Sequence, residues 1–389
     1  MSSDFLKRKK ICIVGIGATE LGKIPGKSSL QFHTEATKLA IEDAGITKDD
    51  INGVVTAFSF VDHTFMHCTT FAEYAGMSPK FFYNSIAIGG STAAWMASQA
   101  AMAIDAGLAD CVLCVRGDNT ATGKVDMVSL IKEMCHVELE YPYGLMTPGG
   151  YGLLAQRHMH DFGTTSEQLA QIAVSTRKHA ALKENAVMKK PITIDDVLNS
   201  QMICSPMHVL DCCLVTDGGG AFIVASEEKA KSMKQKPVYL KGLGQESTHQ
   251  FISQAPDLKV ILENYRKASD KCFNMAGIER KDIQVAEIYD CFTITTLMSI
   301  EGLGFCEMGE GGSFVENGNI ELGGALPVNT HGGLLSQAHL GGMFHINEAV
   351  RQVRGTAGPR QVPNVKNTIV TGNGGLFSSQ TMMILGDEA

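Results

Sequence analysis

The sequence contains no apolar run near the ~20 residues that a membrane-crossing helix needs, and no apolar leader segment follows Met1. Charge is scarce, at 19% of residues, with a formal net charge of −8. No basic run is longer than Lys7-Arg8-Lys9-Lys10, which reads as a solvated leader ahead of the first strand. A nucleic-acid reader carries a basic stripe, so nucleic acid and membrane are both excluded as expected partners. The 11 cysteines are odd in number and lack framework spacing, which excludes a disulfide scaffold and predicts reduced thiols in the cytoplasm. Cys111 and Cys114 have C-x-x-C spacing. They sit, however, in the apolar run 111–115, where strand alternation turns them to opposite faces, and no second pair completes a zinc site. No metal is therefore expected.

What is present is material for a large core: 44% hydrophobic residues over 389, enough for two or three domain-sized units. The run Ile11–Gly15 reads as a buried strand, followed by a helical segment that stops at Gly45 and a second strand over Gly53–Ala57. The phrase returns in the second half. Ala44-Gly45-Ile46 with Asp50-Ile51 is matched at constant offset by Ala276-Gly277-Ile278 with Asp282-Ile283, which marks an internal repeat. A second pair supports it: the Gly-led, small-residue helix 89–101 precedes the strand 111–115, and Gly341–Val350 precedes the strand Thr368–Thr371. Helices so rich in Ala, Gly and Ser suit burial between two sheets. Strand–helix alternation in two copies predicts mixed α/β layers. A long insertion, 117–205, rich in Met, His and Tyr, interrupts the first half and is expected to be functional or interface-forming. Gly218-Gly219-Gly220 after it reads as a tight turn feeding a buried strand, since a phosphate cradle would precede a helix.

Three segments carry candidate chemistry. Asn84–Thr92 starts a helix among small residues, where free N–H groups can meet an oxyanion or form a simple N-terminal turn. Ile288–Ile294 offers the phenol of Tyr289, the carboxylate of Asp290 and the thiol of Cys291 in succession. These either face a cleft or divide into an edge aromatic and a cap for the next helix. Asn329–Gly342 holds His331 and His339 among four glycines, as a bare backbone for ligand approach or a loop with solvated histidines. On the first alternative, His339 acts through a near-neutral pKa as acid, base or hydrogen-bond donor.

Together these segments resemble the signature loops of the thiolase-like superfamily over nearly the whole chain, and within it the sterol-carrier-protein-2-type branch. That branch has His-Asp-Cys-Phe where Tyr289–Phe292 stands. Asn329 to His339 resembles the loop ending in Gly-His-Pro, and Gly372–Gly375 resembles a C-terminal glycine loop whose usual cysteine is absent here. The resemblance implies an α/β thiolase fold: two repeated halves in a layered α-β-α-β-α core, with residues 1–116 and 206–232, 117–205 and 233–389 as its parts. It implies Tyr289, His339 and Cys291 as catalytic residues, and Ala87, Gly90, Asn329, Gly374 and Gly375 around the substrate and its oxyanion. Coenzyme A is then a substrate and no cofactor is bound. The sequence departs from the branch at the nucleophile. Ala87 stands where the acyl-accepting cysteine belongs, and a methyl group forms no thioester. The segments Arg157–Thr165 and Val328–Gly333 resemble the partner-dependent members, implying a homodimer with a small zinc-finger and OB-fold subunit, a heterotetramer.

Two reactions and one alternative of another class follow. Thiolysis of a β-ketoacyl-CoA, with benzoylsuccinyl-CoA as one candidate, has CoA attack directly while His339 activates it and Cys291 serves as acid–base or relocated nucleophile. Retro-aldol cleavage of a β-hydroxyacyl-CoA, such as a steroid side chain, needs no acyl-enzyme. Aldolases resembled here tend to carry tyrosine at the position of His339, so the sequence places thiolysis first. A non-catalytic acyl-CoA-binding scaffold stands third.

Overall fold

The computed structural model describes residues 5–78 and 81–389. Its main sheet has nine strands: β1 (Cys12–Ala18), β2 (Gly53–Ala57), β3 (Phe82–Ile86), β4 (Cys111–Asn119), β5 (Asp217–Ala225), β6 (Val238–Ser247), β7 (Val285–Glu287), β8 (Asn367–Gly374) and β9 (Ser379–Gly386). The helices that matter for the site are α1 (Ser29–Ala44), α2 (Thr92–Asp105), α3 (Thr147–Phe162), α4 (Ser166–Ala181), α5 (Leu258–Ala276), α6 (Thr293–Leu303) and α7 (Met343–Arg354). Strand order is β3-β2-β4-β5-β1-β6-β9-β8-β7. Read outward from the β1–β6 seam, where Cys12 pairs with Tyr239 and Ile13 with Val238, the two sides mirror each other. A parallel bridge from Ala286 to Val328 occupies the place that β3 has in the first half.

The repeat seen in sequence is a repeat in structure. Ala44 ends α1 and Ala276 ends α5; Gly45 and Gly277 close them at φ 71° and 68°, and a 3₁₀ turn precedes the next strand in each case. Left-handed closure favours glycine because a Cβ is penalised there. A second repeated device was not read from the sequence. A Cβ on Gly15 or Gly17 would lie 2.4 or 2.2 Å from the carbonyls of Ala40 and Ala36. On Gly242 or Gly244 it would lie 2.2 or 2.3 Å from those of Cys272 and Ala268. In both halves a helix is laid directly on strand backbone.

Three clusters of buried side chains give the layering. Ala36, Ala40 and Ala44 of α1 cover one face of the first half-sheet, with Val14, Leu113 and Ile223. Leu262 and Ala268 of α5, with Leu297 of α6, cover the second half-sheet at Ile369 and Ile384. Between the half-sheets, Ala93, Ala97 and Ala101 of α2 pack with Ile346 and Val350 of α7 against both Val112 and Val370. The small-residue helices are thus central, as their composition predicts. Cys111 and Cys114 fall in different clusters, on opposite faces of β4.

One local reading is corrected. Gly218–Gly220 form no turn but lie inside β5, where the approach of Phe32 from α1 and Met343 from α7 leaves no room for a Cβ. The basic run lies ahead of the first strand with Arg8, Lys9 and Lys10 exposed; Phe5–Lys9 form a short helix that buries Leu6 and pairs Arg8 with Asp105. Among the described residues, no helix is long and apolar enough to cross a membrane, and no group of three His, Cys, Asp or Glu residues is arranged to hold a metal.

Candidate active site

The site lies where the β3–α2 connection, the segment after β7, the loop before α7 and the β8–β9 turn converge. Gly90 shows how tightly. A Cβ there would stand 2.1 Å from Cζ of Tyr289 and 2.4 Å from the carbonyl of Asn373, and one on Gly89 would stand 3.0 Å from Gly374. Backbone from one half therefore touches backbone and ring from the other. Thr92 fastens the start of α2 by accepting from the N–H of Ile88 and donating to the carbonyl of Gly89. Ala87 is exposed in a cavity of about 210 Å³ that Gly89, Met146, Thr147, Gly375 and Leu376 also line.

Tyr289 and His339, fifty positions apart, meet at 3.1 Å between the phenol oxygen and Nε2. Each is held from its backbone. The N–H of Tyr289 donates to Thr371 Oγ1. Thr216 accepts from the N–H of His339 at 3.0 Å and donates to its carbonyl. Burial holds His339 neutral, pushing its pKa down to about 3, with the guanidinium of Arg116 adding to the effect. The near-neutral pKa expected from sequence is thus corrected: desolvation and a nearby cation outweigh the ordinary value. Burial likewise raises the Tyr289 pKa well above that of a free phenol, with the Cys291 thiol adding to the shift.

Cys291 is buried, and desolvation pushes its thiol up to about 12. A thiol at that value is almost wholly protonated near neutral pH and is a poor nucleophile. Asp290 neither faces the cleft nor caps the following helix, whose cap position is Phe292. Its carboxylate accepts from the N–H groups of Leu334 and Leu335 and pairs with His345 at 3.2 Å, fixing the π-helical turn Gly333–Gln337 ahead of His339. Asn329 is fully buried at φ 52°, and its carboxamide accepts from Ile288 N–H at 2.7 Å and donates to Ile288 C=O at 2.8 Å. It holds the strand leading to Tyr289 in place, with its side chain directed to backbone and not to the cavity. His331 is not solvated; it is buried, 2.7 Å from Glu287. Gly374 ends β8, and Gly375, at φ 60°, turns toward β9 on the cavity wall.

Three contributors were missed. Tyr151 of α3 donates to the carbonyl of Gly375 at 2.8 Å and accepts from the N–H of Phe377, tying the insertion to the glycine turn. His345 partners Asp290. Arg116, on β4, is buried beside the loop of His339. Its sequence signal was a charge placed directly after the apolar run 111–115.

A model of the thiolase C-terminal domain-like family matches residues 244–387. The chain is 37% identical to a steroid side-chain-cleaving aldolase of Thermomonospora curvata, over 97% of each chain. It is also 37% identical to a 17-hydroxy-3-oxo-4-pregnene-20-carboxyl-CoA lyase of Mycobacterium tuberculosis, over 94% of this chain and 97% of the other. Sterol carrier protein 2 of Bos taurus is 31% identical over 92% of this chain and 69% of its own. Among solved structures, the Ltp2-ChsH2(DUF35) aldolase superimposes with a TM-score of 0.88 at 37% identity, covering 97% of this chain and 98% of that one. With the mirrored half-sheets, the converging glycine loops and full-length kinship, the chain belongs to the thiolase-like superfamily, in its sterol-carrier-protein-2-type branch.

Proposed function

We propose that the protein cleaves a carbon–carbon bond in a β-hydroxyacyl-CoA by a retro-aldol reaction. The observation that carries this reading is the neutral Tyr289–His339 pair, whose phenol ring packs on Gly90, in the same loop as Ala87: a hydrogen-bonded proton carrier against a loop whose acyl-accepting position holds only a methyl group. The sequence ranked thiolysis first. The two side-chain-cleaving relatives, matched over nearly their whole length, favour the lyase reaction instead.

In the reaction, the β-hydroxyl gives up its proton to the pair and the Cα–Cβ bond breaks. The electron pair enters the thioester as an enolate, the β-carbon leaves as a carbonyl, and the proton returns to Cα. Nothing in this sequence of steps requires a thiolate, so the high pKa of Cys291 is no handicap. A general acid–base of this kind contributes typically ~10²–10⁴ in rate.

The assay uses 17-hydroxy-3-oxo-4-pregnene-20-carboxyl-CoA as probe, with benzoylsuccinyl-CoA plus free CoA as the thiolysis arm. Release of the ketone without added CoA supports the lyase reading. Turnover only of the β-keto substrate, and only with CoA, sinks it.

The partners follow the same reading. Among the described residues, edge strand β3 has no neighbour on its outer side, and Tyr83 in it and Phe81 just before it are exposed, which supports pairing with a second copy. The likeness to an aldolase with a DUF35 partner supports a small companion subunit. An active monomer at micromolar concentration in light scattering counts against both. The three-part division at 117–205 and 233–389 is retained as part of this proposal, since β1–β5 flank the insertion and β6–β9 form the second half-sheet.

A further inference from the structure

Arg116 is a buried cation with no direct counter-ion among the described residues. The residue is 6% exposed, yet its side chain makes no ion pair and no hydrogen bond among the described residues, and its Nε is buried without a partner. Asp118, two residues along β4, feels the charge of Arg116 but forms no ion pair with it; that carboxylate accepts from the hydroxyl of Ser59 and the N–H of Phe60. What Arg116 has is a built seat. Its guanidinium lies over the ring of Phe60, 5.2 Å from the centroid. Its Nη1 packs so closely on Gly341 that a Cβ there would stand 1.9 Å away. Gly341 is two residues past His339, in the same loop.

A buried guanidinium without a counter-charge is unfavourable unless an anion reaches it during the working cycle. We propose that Arg116 supplies the positive charge that offsets the oxyanion formed at the Tyr289–His339 pair when the carbon–carbon bond breaks. This inference rests on the CoA-thioester reading above and adds to it a residue and an electrostatic role. The pair itself is neutral and can share a proton, but it carries no charge against an enolate. Arg116 does, in a water-poor setting where a fixed charge acts strongly. Arg116 adds to the burial that depresses the basicity of His339 in the resting site, and an enolate facing Arg116 offsets that added part while burial still acts. Bond and charge balance are those of the retro-aldol step: the electron pair leaving Cα–Cβ becomes the enolate charge that Arg116 faces, and it is discharged when Cα is protonated.

The probe is acetoacetyl-CoA, whose enolate absorbs in the near ultraviolet apart from its keto form. Titrated into the full-length wild-type chain without free CoA, it should bind and develop the enolate band. R116M keeps much of the side-chain volume and removes the charge. At fixed pH it should bind the keto form and lower the enolate-to-keto ratio by about 10²-fold, the scale of one oxyanion donor. R116K should recover most of that loss. Because the charge it removes forms no ion pair, R116M should melt close to wild type; should it fail to fold, R116Q provides the uncharged comparison. A bound probe with no enolate band in wild type, or the same ratio in wild type and R116M, overturns the proposal. The second outcome would follow if Arg116 only anchored a carboxylate on the acyl chain or served the fold. Failure of wild type to bind acetoacetyl-CoA removes the CoA-thioester reading itself, and this inference with it.

Discussion

Replacing Gly90 by alanine tests the site with the smallest possible change. The new methyl would begin 2.1 Å from Cζ of Tyr289 and 2.4 Å from the Asn373 carbonyl. Ordinary contact begins near 3.4 Å, so the ring must withdraw by about 1.3 Å and the backbone at Gly90 or Asn373 must part by about 1 Å as well. That movement is enough to break a 3.1 Å hydrogen bond to His339. Overpacking of this kind costs typically ~1–3 kcal/mol of stability, whereas a displacement of ~1 Å at reacting groups can lower the rate by ~10². The expected result is a folded protein with a modestly lower melting temperature and a turnover reduced about a hundredfold. Turnover is measured by ketone release from the steroidal CoA thioester, and melting by calorimetry. Turnover within a few-fold of wild type, with the melting temperature unchanged, would show that the ring accommodates the methyl and that the Tyr289–His339 contact does not govern the rate.

Three further outcomes are expected. Tyr289→Phe keeps the ring and removes the hydroxyl, and His339→Ala removes its partner; each should lower turnover by at least ~10², and near-normal rates in both would take the pair out of the reaction. Intact mass spectrometry after rapid quenching with acyl-CoA should show no acyl adduct on Cys291, whose thiol stands at about 12; an adduct there would restore covalent catalysis. Stability should fall as the medium is acidified from the ordinary histidine value of 6.5 toward 3, because the unfolded chain takes up protons that buried His33 and His339, both lowered to about 3, refuse in the folded state. Denaturant midpoints should therefore rise with pH through this window, and His33→Gln should flatten that slope unless His33 is already protonated when folded.

Several parts of the site were legible because they are punctuated locally. The glycines at 89–90, 341–342 and 374–375 interrupt well-patterned helices and strands, and they stand in the structure where backbones from different elements touch. Tyr289 and His339 stood out for the same reason, as polar groups in segments otherwise built for burial. Asp290 and Asn329 looked equally exposed to chemistry, but both turn to backbone: one to the N–H groups of Leu334 and Leu335, the other to Ile288. Spacing along a chain does not say which way a polar side chain finds its partner.

By itself, then, the sequence determined the repeat, the alternation that makes each half-sheet, and the small-residue helices that must lie between them. These depend on local pattern: glycine closes α1 and α5 in either half, and short continuous apolar runs make buried strands. Tertiary structure alone decided what the chemistry-bearing groups are. It brought Tyr289 to His339 across fifty residues and set the unpaired Arg116 of β4 against the loop that carries His339. It also buried Tyr289, Arg116 and Cys291 and half-buried His339, so that the histidine is held neutral and the thiol protonated. Charge state is set by the dielectric and the neighbours that folding assembles from distant segments, and no residue carries that information in its own place in the chain.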